Sequence, residues 1–481
     1  MVDFMIGLEI HVQLNTLNTK LFCGCTTEYH NLPPNSNTCP VCLGLPGSLP
    51  LLNEKAIRYA VMTAIALNCK INQHFNFVRK NYFYPDMTKN FQISQYDRAG
   101  GKPIAYDGYI TVKGVSNRVR IRRIQIEEDP GRLEHPLGLG TSSYVLVDYN
   151  RSGMGLLEIV TEPDLTSPRE ARALINKVRS VLEHLGVCDT GKEGAMRADA
   201  NISIVGGNRV EIKNITSHKE VERALGYEAS RQIEITAAGG SVDRETRHWS
   251  EAKGITISSR SKEEEQDYRY FPEPDIPGFT IQETFLEVVR NSMPELPDAR
   301  VSRFMREYRL SQRDADILVM EKTLADYFEG VAKLSGKPQL AASWISVELQ
   351  RQLNERKASL ENLRITPAQF ARLLVLVDSG VLTGKLAKRV LAIMVDTGKD
   401  PDTISQELGL VRIADEQLLD SVVSEVFTEN PRAVEDAQSN PEALNFLVGQ
   451  VMRKTRGKAD PAVTNSLVRK KLSELSSRNH C

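Results

Sequence analysis

The chain has 481 residues, too many for one ordinary hydrophobic core, so two or three domains are expected. Its 61 Lys and Arg balance 62 Asp and Glu, and a formal net charge of −1 neither demands nor excludes a polyanionic partner. No apolar run reaches the roughly 18 residues that span a bilayer. The opening stretch MVDFMIGLEIH has no basic and apolar regions of a secretory signal, and it is not the Arg- and Ser-rich composition of a transit peptide, so a cytoplasmic protein is expected.

The first predicted element is a strand in GLEIHVQL, where Glu9 and His11 are two apart and share a face. The next segment, Phe22 to Gly44, holds four of the seven cysteines: Cys23, Cys25, Cys39 and Cys42, spaced C-x-C, thirteen residues, C-P-x-C. Two such pairs on one loop supply four thiolates for tetrahedral Zn²⁺, a closed site with no position left for water. Two disulfides are the alternative, but bridging across C-x-C is strained and the cytosol is reducing. The cluster therefore reads as a structural staple. Cys69, Cys188 and Cys481 are scattered.

Further on, Lys80 follows Arg79 in FVRKNYFYPDMTK, a cation suited to neutralising phosphate charge. RVRIRRIQIEED (118–129) alternates apolar and charged residues as a half-buried strand does, and ends in Glu127, Glu128 and Asp129. SSYVLVDYNRSGMGLLEIVTEPD reads as strand, Gly-containing turn and strand, with Glu158 on the second strand. SPREARALINKVRSVLEHLG (167–186) predicts a helix capped by Ser167 and stopped at Gly186. ADANISIVGGNRVEIKNI predicts a hairpin around Gly206-Gly207-Asn208, with Asp199 just ahead, and a helix follows over about 217–237. The fold class is α+β with a mainly antiparallel sheet.

Pro-rich boundaries at 270–279 and 293–300 introduce an almost wholly helical remainder, with a further break at 397–403. From Pro401 to Leu447 there are ten acids and two basic residues, whereas Val448 to Cys481 carries eight Lys or Arg and two acids. Arg453, Lys454, Arg456 and Lys458 surround Gly457, and Arg469, Lys470 and Lys471 follow. Charge makes these seven the candidates for contact with nucleic-acid phosphates. The carboxylates gathered above, with His11, are the ligand types of Mg²⁺, which shares itself with substrate phosphates in phosphoryl transfer. Spacing leaves the choice between Glu127 and Glu128 open. No Walker A or kinase-type glycine loop is present.

The motifs GLEIHVQLNTLNTKLFCGC, CPVCLGLPGSLPLLN, RKNYFYPDMTKNFQISQYD, GLLEIVTEPD, EIKN, DYRYFPEPD and GKADPAVTNSLVRKKL resemble the B-subunit family of GatCAB aspartyl/glutamyl-tRNA amidotransferases, from residue 6 to about 476. The related GatDE enzyme's E subunit carries an inserted domain for which this chain is too short. The resemblance implies ATP-dependent phosphorylation of the side-chain carboxylate of Asp on tRNA-Asn or Glu on tRNA-Gln. Ammonia from a glutaminase A subunit then displaces the phosphate, giving Asn-tRNA or Gln-tRNA, with a small C subunit at the A–B interface. It implies a cradle-shaped catalytic domain over 1–292, holding the zinc loop 22–44, then a helical domain over 293–402 and a tRNA-binding helical tail over 403–481. It draws the Mg²⁺ and phosphoryl-transfer site from Glu9, His11, Glu128 and Glu158, with Lys80 on the phosphate, and the zinc from Cys23, Cys25, Cys39 and Cys42. Two departures flank that site: Arg98-Ala99-Gly100-Gly101 after QYD, and Ala198 and Ala200 within MRADANIS. The competing reading is a non-catalytic zinc-containing tRNA-binding adaptor. An aminoacyl-tRNA ligase finds no HIGH- or KMSKS-like element.

Overall fold

Alternation along single strands sets the architecture. In β1 (Phe4–Gln13), Ile6, Leu8, Ile10 and Val12 are buried on one face, and Glu9, His11 and Gln13 lie on the other. The computed structural model describes residues 2–115, 117–136, 142–215, 217–259, 268–409, 416–437, 441–455, 459 and 461–478. The chain divides into two compact units, Met1–Ala299 and Arg300–Cys481.

The strands of the first unit that bear on the site are, in chain order, β1, β2 (Lys70–Ile71), β3 (Val78–Asn81), β4 (Phe91–Ser94), β5 (Ala105–Ile110), β6 (Val119–Glu128), β7 (Gly155–Thr161), β8 (Met196–Ile204), β9 (Val210–Ile215), β10 (Glu245–Ser250), β11 (Ile255–Ser258) and β12 (Phe271–Pro272). Nine of them form one sheet in the order β11-β10-β9-β8-β1-β7-β6-β5-β2. Every pairing is antiparallel except β9 with β10, so the expected mainly antiparallel sheet is present. The remaining three build a small sheet, β12-β3-β4.

Helices pack on the apolar face. From α1 (Glu54–Ala66), α2 (Pro168–Leu185) and α3 (His218–Ala237), residues such as Val61, Leu174, Val178 and Leu225 join Ile10, Ile126, Ile159 and Ile202 in one core. The helix expected over 167–186 runs as α2. Ser167 accepts from the Glu170 N–H, Pro168 opens the first turn, and Gly186 takes the left-handed conformation at φ 71°. α3 ends at Ala237, just before Gly239 at φ 77°.

The second unit is helical, as its sequence predicts, and its apolar residues form two clusters, one from Phe304 to Ile404 and one from Leu419 to Leu472. The break at 397–403 is a turn between helices Gly384–Thr397 and Pro401–Glu407, and Ile404 packs into the earlier cluster. Among the described residues, no helix is long and apolar enough to cross a membrane.

Candidate functional site: a polar sheet face

The face of the sheet opposite the helices is polar at its centre. Strand registers set Arg197, His11, Glu158 and Gln125 side by side in one row, and Asp199, Glu9, Val160 and Arg123 in the next. Residues directly opposite one another on paired strands share a face and touch, so four sequence-distant segments meet here.

The first cluster is His11, Glu127 and Glu158, each offering an atom within 4.8 Å of the other two. His11 Nε2 lies 3.8 Å from Glu127 Oε1 and 3.8 Å from Glu158 Oε2. Glu127 Oε2 accepts from Ser94 Oγ at 3.1 Å, and Glu158 Oε2 accepts from Gln125 Nε2 at 2.8 Å. One imidazole nitrogen and two carboxylates fit a hard divalent cation that keeps positions open for substrate oxygens.

Glu128, expected in this set, is turned away. Ile124 and Ile126 face the core, so strand parity sends Glu127 to the polar face and Glu128 to the other side. There its carboxylate pairs with Lys89 Nζ at 2.6 Å and accepts from the Ile93 N–H at 2.9 Å. Glu127 takes its place.

A second cluster joins Glu9 to Asp199 and Glu211, again within 4.8 Å. Lys213 Nζ stands 3.7 Å from Asp199 and 3.6 Å from Glu211, an internal counter-charge to the three acids. Lys80, on β3, lies 4.8 Å from the ring centre of Tyr268 and 5.6 Å from that of Tyr82. It is near enough to Glu127 to favour that carboxylate's charged form.

Crowding of acids leaves its mark on their protonation. Burial, helped by Glu158, pushes the Glu127 carboxyl up to about 8, against the pull of Lys80 and Ser94. Burial, with Glu158, Glu211 and Asp199, pushes Glu9 up to about 7, opposed by Lys213. Both folded values exceed the unperturbed 4.5, so the metal-free folded state binds more protons across that window. Stability in the absence of metal therefore falls as pH rises from about 4.5 to about 8. In EDTA the melting temperature is expected to drop over this range, less steeply in Glu127→Gln, and Mg²⁺ is expected to restore it at the alkaline end. A Glu127→Gln profile parallel to wild type would refute the assignment.

Away from this face, the Sγ atoms of Cys23, Cys25, Cys39 and Cys42 lie within 4.8 Å of one another, and none of the four is in a disulfide. Four sulfurs at that spacing fit a tetrahedral thiophilic metal. Lys20, fully buried, donates to the Asn37 carbonyl at 2.8 Å and lies 3.8 Å from Cys42 Sγ. A hydrogen bond from Cys23, together with the Lys20 charge, lowers the Cys42 thiol to about 5 despite its burial.

Comparison with known proteins places this geometry. Residues 4–287, which contain the polar face and the cysteine loop, match the GatB/GatE catalytic domain, and residues 326–472 match the GatB domain. The chain belongs to the GatB/GatE family. It is 50% identical over 466 residues to the B subunit of the aspartyl/glutamyl-tRNA(Asn/Gln) amidotransferase of Sulfurisphaera tokodaii, covering 97% of this chain and 98% of that one. The proteins of the same name from Carboxydothermus hydrogenoformans and Thermotoga maritima are 48% and 49% identical, each covering at least 97% of both chains.

In this GatB-family chain the basic tail is partly neutralised from within. Lys454 pairs with Glu425 at 2.9 Å and Glu429 at 2.7 Å, and Lys471 pairs with Asp420 at 2.7 Å. Arg469 donates to Asn465, while Arg453 and Lys470 are exposed. Arg456 and Lys458 lie outside the described residues.

Proposed function

We propose that this chain is the subunit that activates the side-chain carboxylate of misacylated Asp-tRNA(Asn) or Glu-tRNA(Gln) with ATP. The names of its relatives support the tRNA substrates, and one observation carries the chemistry: the His11–Glu127–Glu158 group on the polar face, with Lys80 beside it. A carboxylate is a poor acyl donor, because its leaving group would be oxide. Transfer of the γ-phosphoryl group to it releases ADP and creates an acyl phosphate. Ammonia then attacks the carbonyl carbon, inorganic phosphate departs, and the amide remains on the tRNA.

In this reading His11, Glu127 and Glu158 hold Mg²⁺, which when bound neutralises phosphate charge. Lys80 offsets charge on the transferred group, held by its aromatic neighbours. Glu9, Asp199 and Glu211 keep Lys213 charged at the edge of the same face. The cysteine cluster holds structural zinc. Ammonia comes from a glutaminase A subunit, with a C subunit completing a heterotrimer that works in the cytoplasm. The tail takes the tRNA through Arg453 and Lys470 foremost, since Lys454 and Lys471 must first leave their acidic partners.

The test is the assembled complex with each misacylated tRNA, ATP and glutamine, scoring ADP and the amino acid released from the tRNA. ADP formation that depends on the misacylated tRNA is expected. A paired Arg453→Glu and Lys470→Glu variant is expected to weaken tRNA binding more than changes at Lys454 and Lys471. No ADP with either tRNA under any partner combination would favour the adaptor reading.

A further inference from the structure

Arg197 stands in the row of His11 and Glu158, and the chemistry above makes no use of it. Its Nη2 donates to Asp129 Oδ1 at 2.8 Å. Asp129 is 1% exposed, and its Oδ2 accepts from Gln13 Nε2 at 2.6 Å. Arg197, Arg151 and Gln13 thus converge on one buried carboxylate beneath the face.

Two arginines share this anchor, and they are not equivalent. Arg151 Nε is 3.6 Å from Asp129 and also donates to the Pro130 carbonyl, while its Nη2 donates to Gly131. Arg151 is therefore turned to the main chain. Arg197 keeps 36% of its side chain exposed on the polar face. Its guanidinium feels Asp129 first, then Asp199 and Glu127, one acid from each cluster. Half-buried Asp86 also lies near both arginines, and burial pushes its carboxyl upward. A guanidinium has five N–H donors in a planar fork that matches phosphate oxygens, and its contact with Asp129 runs through Nη2.

We propose that Arg197 binds the phosphoryl oxygens in this site, aimed at them by the buried carboxylate of Asp129. The inference rests on the ATP-dependent reading above. Lys80 approaches from β3, whereas Arg197 rises from β8 beside His11, so a phosphoryl group on this face meets cations from two elements. The alternative is that Arg197 only neutralises Asp129, a structural role that predicts loss of stability and unchanged kinetics.

The experiment measures ADP release by the assembled complex with misacylated tRNA, with and without glutamine, for wild type, Arg197→Met and Arg197→Lys. Arg197→Met is expected to lose about 100-fold in kcat/KM for ATP, on the scale of removing one preorganised donor, with tRNA affinity unchanged. Arg197→Lys is expected to recover part of the loss. A defect already present without glutamine assigns the contact to the phosphate of ATP, and one seen only with glutamine assigns it to the acyl phosphate. Wild-type kinetics in Arg197→Met would overturn the proposal. So would a loss that Arg197→Lys shares in full together with an equal fall in melting temperature. Absence of ADP in wild type would instead overturn the ATP-dependent reading.

Discussion

Replacing Glu127 by Gln is expected to lower tRNA-dependent ADP formation by about 1,000-fold or more, and replacing Glu128 by Gln is expected to lower stability instead. Glu127 reaches His11 across 3.8 Å, and its neutral isostere leaves the cluster one charged ligand short. The folded protein should not suffer. Burial among other acids already holds the Glu127 carboxyl near 8, so at and above that pH the substitution relieves a charge that folding disfavours. Glu128 is the converse case. Its side chain and that of Lys89 are both largely buried, and removing one partner strands the other charge, at a cost of about 3–5 kcal/mol. Melting curves and ADP assays on the two variants separate the roles. Loss of ADP formation by Glu128→Gln in a normally folded protein, with Glu127→Gln active, would reverse the assignment.

Much of this face was readable by parity. Ile6, Leu8, Ile10 and Val12 mark the inward side of β1, so Glu9 and His11 fall together on the other side. The same count on Ile124 and Ile126 selects Glu127 over Glu128, a signal present in the sequence. The helix α2 was legible because its start and stop signals are local: a serine cap, a proline at the first turn and a glycine in the left-handed conformation. What local patterns cannot supply is partnership between strands. Glu211 and Lys213 sit in the motif EIKN, but only the β1–β8 and β8–β9 pairings carry them to within reach of Glu9, some two hundred residues away in the chain. Arg197 is hidden for the same reason: its meaning depends on His11 on one side and on Asp129 beneath it. The basic tail shows the opposite error of scale, since a charge run reads as one surface until Glu425, Glu429 and Asp420 are found against two of its lysines.

The second large effect concerns Cys39→Ser, which is expected to empty the cysteine site and lower the melting temperature while leaving ADP formation per folded molecule within a few-fold of wild type. In peptides where metal alone organises the fold, binding contributes about 10–16 kcal/mol. The loss here should be smaller, because the loop has other anchors. The Asn37 N–H donates to Asn150 Oδ1 at 2.7 Å, Thr88 Oγ1 donates to the Cys42 carbonyl at 2.8 Å, and buried Lys20 donates to the Asn37 carbonyl. These hold the chain near its course after the metal is gone. They do not replace it, for the Lys20 ammonium and the lowered Cys42 thiol are buried together and depend on the cluster staying closed. One route from loop to polar face runs through the Tyr29 hydroxyl, 3.3 Å from Gln13 Nε2, and Gln13 in turn contacts Asp129. A disturbance passing that way reaches Asp129 and Arg197, so the kinetic effect it carries should appear in the KM for ATP. Metal analysis, melting curves and ADP kinetics on one preparation decide the matter. Zinc lost, fold intact and ADP formation abolished would mean that the cysteines govern the chemistry after all.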